Sequence, residues 1–222
     1  MKKLILNLTA VATLAAASLV ANAQSPLFVY DNVANFPAGT AQLNFKTFAG
    51  FQVNVALNGV AYNNTYAGWI NTEVDGILRS LMCVQLDQTT APQNQPKPYN
   101  VYQPTGQIGW LVNQIASADT NAKRVGLQVA IWEVSYDFAS GNPLDLTDGI
   151  FTAAAHNPNT TAAINYATQY LAGMGNYGIG YTYYGNSQFQ DFVGPAPVPE
   201  PMTMALAGLG LSAVGVIRRK RS

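Results

Sequence analysis

The sequence predicts an α+β domain: an antiparallel, barrel-like β-sheet with a small helical subdomain. Three observations predict it. Residues 51–58 alternate apolar and polar side chains, residues 108–134 switch to helical spacing, and Tyr177–Tyr184 returns to strand-favouring residues. An apolar segment at each end adds a signal helix before the domain and a transmembrane helix after it.

The chain opens with Met1-Lys2-Lys3, continues through an Ala- and Leu-rich stretch from Leu4 to Val20, and reaches Ala21-Asn22-Ala23. A basic start, a short apolar run and an A-x-A site make a secretory signal peptide over residues 1–23. Signal peptidase is therefore an expected partner. Residues 24–188 then form the exported domain, with no internal repeat.

Within it, Phe51, Val53, Val55 and Leu57 alternate with Gln52, Asn54, Ala56 and Asn58, the period of a half-buried strand. Asn58-Gly59 supplies a tight hairpin turn into Val60-Ala61-Tyr62. Leu78 to Leu86 reads as a further strand containing Cys83, and residues 88–104, with four prolines, read as a loop. Pro104-Thr105 marks the start of a helix whose face carries Ile108, Leu111, Val112 and Ile115. A second helix spans about Asn121 to Tyr136. Its apolar residues lie on both sides, which predicts a helix buried nearly all round. A third covers Thr161 to Ala172 and stops at Gly173. Residues 189–198 read as a Pro/Gly linker.

Charge is scarce and balanced, 11 basic against 11 acidic residues, so nothing points to nucleic acid as a partner. The single cysteine, Cys83, excludes an intramolecular disulfide and a two-cysteine metal site. No cofactor or metal is expected. Asp137, Asp145 and Asp148 cluster around glycines and Asn142-Pro143, which reads as turn chemistry before calcium ligation. The one histidine, His156, precedes an Asn-Pro turn and reads as a surface residue, not as the base of a cysteine hydrolase. The chain is not expected to be an enzyme.

After Gly194-Pro195-Ala196-Pro197-Val198 the sequence continues Pro199-Glu200-Pro201, then an apolar run from Met202 to Ile217, then Arg218-Arg219-Lys220-Arg221. Sixteen helical residues reach about 24 Å, short of a hydrocarbon core of about 30 Å. The basic cluster holds that end on the cytoplasmic side. Residues 199–222 resemble the PEP-CTERM sorting signal of Gram-negative bacteria. The resemblance implies recognition by an exosortase, cleavage near Pro199-Glu200-Pro201, and delivery to the cell surface or a biofilm's extracellular matrix. Anchoring in the inner membrane through residues 202–217 would be transient.

Two polar residues in apolar settings need an explanation. Gln128 sits within Leu127-Gln128-Val129-Ala130-Ile131-Trp132, and a buried amide costs about 1–3 kcal/mol unless its groups are paired. Cys83 sits within Met82-Cys83-Val84. The residues alone allow a bland account, a core cysteine and a hydrogen-bonded core amide. Their motifs also resemble those of the thioester domains of bacterial surface proteins, although Leu127 and Gln85 depart from the family pattern. That resemblance implies an internal thioester between Cys83 and Gln128, shielded by Trp132, which lies one turn on from Gln128. It further implies covalent adhesion to an amine- or hydroxyl-bearing surface or polysaccharide target. The alternative is a structural or carbohydrate-binding matrix protein without a reactive bond.

Overall fold

The computed structural model describes residues 37–175 and 179–196. The signal segment 1–23, the sorting motif, the apolar run 202–217 and the basic cluster lie outside the described residues.

Strand β1 (Gly39–Leu57) and strand β2 (Val60–Val74) form a long antiparallel hairpin. The turn is the expected Asn58-Gly59, with φ of 52° and 75°. Both residues lie in the left-handed region, the conformation of the primed turns whose twist suits a hairpin. Val53, Val55 and Leu57 are buried as the alternation requires. Strand β3 (Ile77–Cys83) follows and pairs with β2; it is shorter than the expected 78–86 and ends on the cysteine.

Strand β4 (Lys97–Tyr102) lies inside the stretch read as a loop. The prolines in and around it signal a loop, yet Tyr99 and Tyr102 are buried, and Pro98 falls near the strand's start, where a missing N–H is tolerated. Strand β5 (Thr105–Gly106) is two residues long and pairs with β7 (Ile179–Gly185). Thr105 is thus in a strand and does not start the helix. Helix α1 (Gln107–Asn113) begins after Gly106 without a side-chain cap and runs on as a 3-10 turn to Ser117.

Helix α2 (Asn121–Tyr136) has the expected limits. Thr120 caps it by accepting the Lys123 N–H at 3.2 Å. Every residue from Val125 to Tyr136 is buried, so the helix is enclosed on all sides. Strand β6 (Phe151–Ala154) pairs with the far end of β1. Helix α3 (Pro158–Gly173) starts three residues earlier than its apolar pattern suggested, because Asn157 and Thr160 form a reciprocal capping box with Pro158 at the first turn. Strand β8 (Phe192–Pro195) falls within the stretch read as a linker, and pairs with both β3 and β7. Residues 189–195 therefore belong to the domain.

Hydrogen-bonded neighbours run β2-β3-β8-β7-β4-β1, and β1 also pairs with β2, closing the sheet. The antiparallel, barrel-like expectation holds. Helix α2 packs against β1, β2 and α3, and one hydrophobic core joins the helices to the sheet.

The α2–α3 crossing is set by Gly126. A Cβ there would lie 2.7 Å from both the Ala163 carbonyl oxygen and the Tyr166 Cβ. We therefore expect Gly126→Val to destabilise the domain by about 1–3 kcal/mol through overpacking. Thermal unfolding checks this; an unchanged midpoint would contradict the packing described.

Candidate functional site

Cys83 ends β3, where its ladder partner is Phe192 of β8. It is buried, as is Gln128 on α2. Hydrogen bonds join the two residues directly. The Cys83 N–H donates to Gln128 Oε1 at 3.0 Å, and Gln128 Nε2 donates to the Cys83 carbonyl at 2.7 Å. One carboxamide thus satisfies both main-chain groups of one cysteine. Each partner would otherwise be a buried, unpaired polar group.

This clamp places the Gln128 carboxamide against the Cys83 main chain. Sequence separation is 45 residues, so the contact depends on α2 being threaded against the end of β3. Burial pushes the Cys83 thiol up to about 12, so it is a neutral thiol and not a ready thiolate at physiological pH. His156 is exposed ahead of α3 and does not line the cleft at Cys83.

The segment after Cys83 is held by a second amide network. Gln85 is buried; its Oε1 accepts the Asp191 N–H at 2.9 Å, and its carbonyl accepts Gln190 Nε2. Asp191 in turn accepts the Tyr183 hydroxyl at 2.5 Å and the Asn186 N–H at 2.7 Å. Tyr136, at the end of α2, accepts the Leu86 N–H at 2.7 Å. Beyond the Cys83–Gln128 contact, the end of the helix is thus tied again to the segment that follows β3.

A cleft of about 680 Å³ opens over this region. Cys83 and Trp132 line it, together with Phe48, Gly50, Tyr66 and Ile70 of the β1–β2 hairpin. Trp132 is 1% exposed, and its ring lies 6.2 Å from that of Phe151. The hairpin residues were not legible as site residues, since strand alternation alone does not say which strand will face a helix-borne amide.

At the far end of α2 the acidic residues perform structural work. Asp137 is buried and accepts Asn142 Nδ2 at 3.0 Å, the Ile150 N–H at 2.6 Å and the Phe151 N–H at 2.9 Å. Asp145 accepts the Thr147 N–H and hydroxyl, and Asp148 accepts the Gly149 N–H. This is the turn chemistry the spacing implied. Among the described residues no group of three His, Cys, Asp or Glu side chains is placed to share a metal ion.

Residues 197–221 match the family model of the PEP-CTERM protein-sorting motif. The chain carries an exosortase sorting signal. It is accordingly an exported protein with a C-terminal membrane-anchor region and an exosortase as processing partner. Comparison with curated proteins and with solved structures gives no match.

Glu133 offers a test of how tightly this helix is enclosed. Burial, then the neighbouring Asp137 carboxylate, pushes its carboxyl up to about 8. The folded state therefore holds a proton that the unfolded chain releases near pH 4.5, and this contribution to stability is lost as pH rises towards 8. Glu133→Gln should match the wild type in thermal midpoint near pH 4.5 and exceed it increasingly up to pH 8. A difference independent of pH would contradict the burial of this carboxyl.

Proposed function

We propose that this exported protein is a covalent adhesin of the cell surface or biofilm matrix, acting through an internal Cys83–Gln128 thioester. The observation that carries the reading is the clamp between the Gln128 carboxamide and the Cys83 main chain. It joins the two residues that the sequence motifs single out.

The geometry suits bond formation. Attack of the Cys83 sulfur on the Gln128 side-chain carbon makes a C–S bond and places negative charge on Oε1. That oxygen already accepts the Cys83 N–H at 3.0 Å, a donor aimed where charge develops. The thiol proton passes to the departing nitrogen, the C–N bond breaks, and ammonia leaves. Burial of both residues, with Trp132 beside the cysteine in the cleft lining, keeps water from the product. A primary amine or hydroxyl reaching the cleft then bonds to the Gln128 carbon, the C–S bond breaks, and the incoming group's proton returns to sulfur. Each molecule reacts once, so the protein is a stoichiometric coupling device and not an enzyme.

The same clamp favours a second reading, a non-reactive matrix protein in which Gln128 simply completes the hydrogen bonding of the β3 end. The two accounts diverge when a nucleophile is offered. Incubating the exported protein with methylamine should place one methylamide at Gln128 and expose one free thiol at Cys83, as read by peptide mapping under denaturing conditions. Cys83→Ala should take up none. Absence of methylamide from Gln128 in the wild type would leave the non-reactive reading.

A further inference from the structure

The cleft over Cys83 carries features that the coupling chemistry does not use. Phe48 on β1 and Tyr66 on β2 sit on its rim, with ring centroids 5.2 Å apart and planes at 71°. They meet diagonally across the ladder position where Gly50 faces Gly68. Those glycines are forced by close approach: a Cβ on Gly50 would lie 1.9 Å from the Ala67 carbonyl oxygen, and Gly68 has a φ of +135°. Aromatic rings that only covered the glycines would be buried there, yet Tyr66 is 63% exposed and Phe48 38%. Two large aromatic surfaces thus stand open to solvent at the mouth of a cleft.

Deeper in, Trp132 is buried with its indole N–H lacking any acceptor. A buried donor without a partner is penalised, which calls for an acceptor from outside the chain. The walls offer the complementary half. Thr65 donates its hydroxyl to the Tyr62 carbonyl, and Thr90 donates its hydroxyl to Gln190 Oε1, so each oxygen keeps lone pairs that can accept. Among the described residues the one charged group lining the cleft, Lys46, is already paired with Glu73 at 2.9 Å. An anionic polymer finds no free cation there, and an ammonium would meet one already in place.

We propose that this cleft binds a neutral, hydroxyl-rich polysaccharide, with Phe48 and Tyr66 as the stacking platform and Trp132 as a hydrogen-bond donor at its floor. Sugar rings present C–H faces to aromatic rings and hydroxyls that both donate and accept. A cleft of about 680 Å³ holds a short stretch of such a chain. Binding requires only the cleft, so the proposal stands apart from the thioester and is compatible with either reading above.

The test is affinity electrophoresis of the exported protein in gels containing hydroxyethylcellulose, dextran or galactomannan, with alginate as the anionic control. Retardation is expected with at least one neutral polymer. Tyr66→Ala and Phe48→Ala, both at exposed positions, should bind about tenfold more weakly while keeping the wild-type thermal midpoint. Trp132→Phe, which keeps an aromatic ring without the N–H, should also weaken binding. Protein pretreated with methylamine, which opens any thioester, should be retarded like the untreated protein, which separates this proposal from failure or success of the thioester. Retardation by alginate alone or by none of the polymers, undiminished binding by Tyr66→Ala, or loss of retardation after methylamine treatment would overturn the proposal.

Discussion

A single side-chain amide ties the helical part of this domain to its sheet. Gln128 donates to and accepts from the main chain of Cys83, and those bonds fix where α2 lies against the end of β3. Much of the surrounding architecture follows from keeping that contact dry. The helix is enclosed from Val125 to Tyr136, Gly126 lets α3 close over it, and the Gln85–Asp191 network holds the chain just past Cys83. A buried amide is stable only with its partners in place, so the contact and the core depend on each other.

The legible and illegible parts of the sequence divide along physical lines. Helix α2 was legible because apolar residues on both of its sides fit a helix buried nearly all round, as it is from Val125 to Tyr136. The β1–β2 turn was legible because Asn58-Gly59 favours positive φ at both positions. Strand β4 was not, since its pairing comes from neighbours distant in sequence and its composition is that of a loop. Strand β8 was missed for the same reason: Phe192 and Val193 are held by β3 and β7, while the glycine and proline beside them signal a linker. Tertiary pairing overrode local composition in both cases.

The candidate site shows the same division. Cys83 and Gln128 stood out because each was a reactive or polar residue in an apolar run. Their contact needs the fold. Phe48 and Tyr66 carried no signal, since exposed aromatics on a strand are common, and only the pairing of Gly50 with Gly68 brings their rings together. At the chain's end the opposite holds. The sorting motif at residues 197–221 is a short linear address, read by a processing enzyme and legible without any fold. Export also explains the chemistry of the domain: a low charge and a lone buried cysteine suit a protein that leaves the cell with no disulfide to form.

Covalent joining of Cys83 to Gln128 would expel one ammonia, a change visible in the mass of the protein. Intact mass spectrometry of the exported protein, freshly prepared at neutral pH and without added amines, tests it most directly. The expected result is a mass one ammonia below that calculated from the processed sequence, with Cys83→Ala at its full calculated mass. A wild-type protein at its full calculated mass would contradict it.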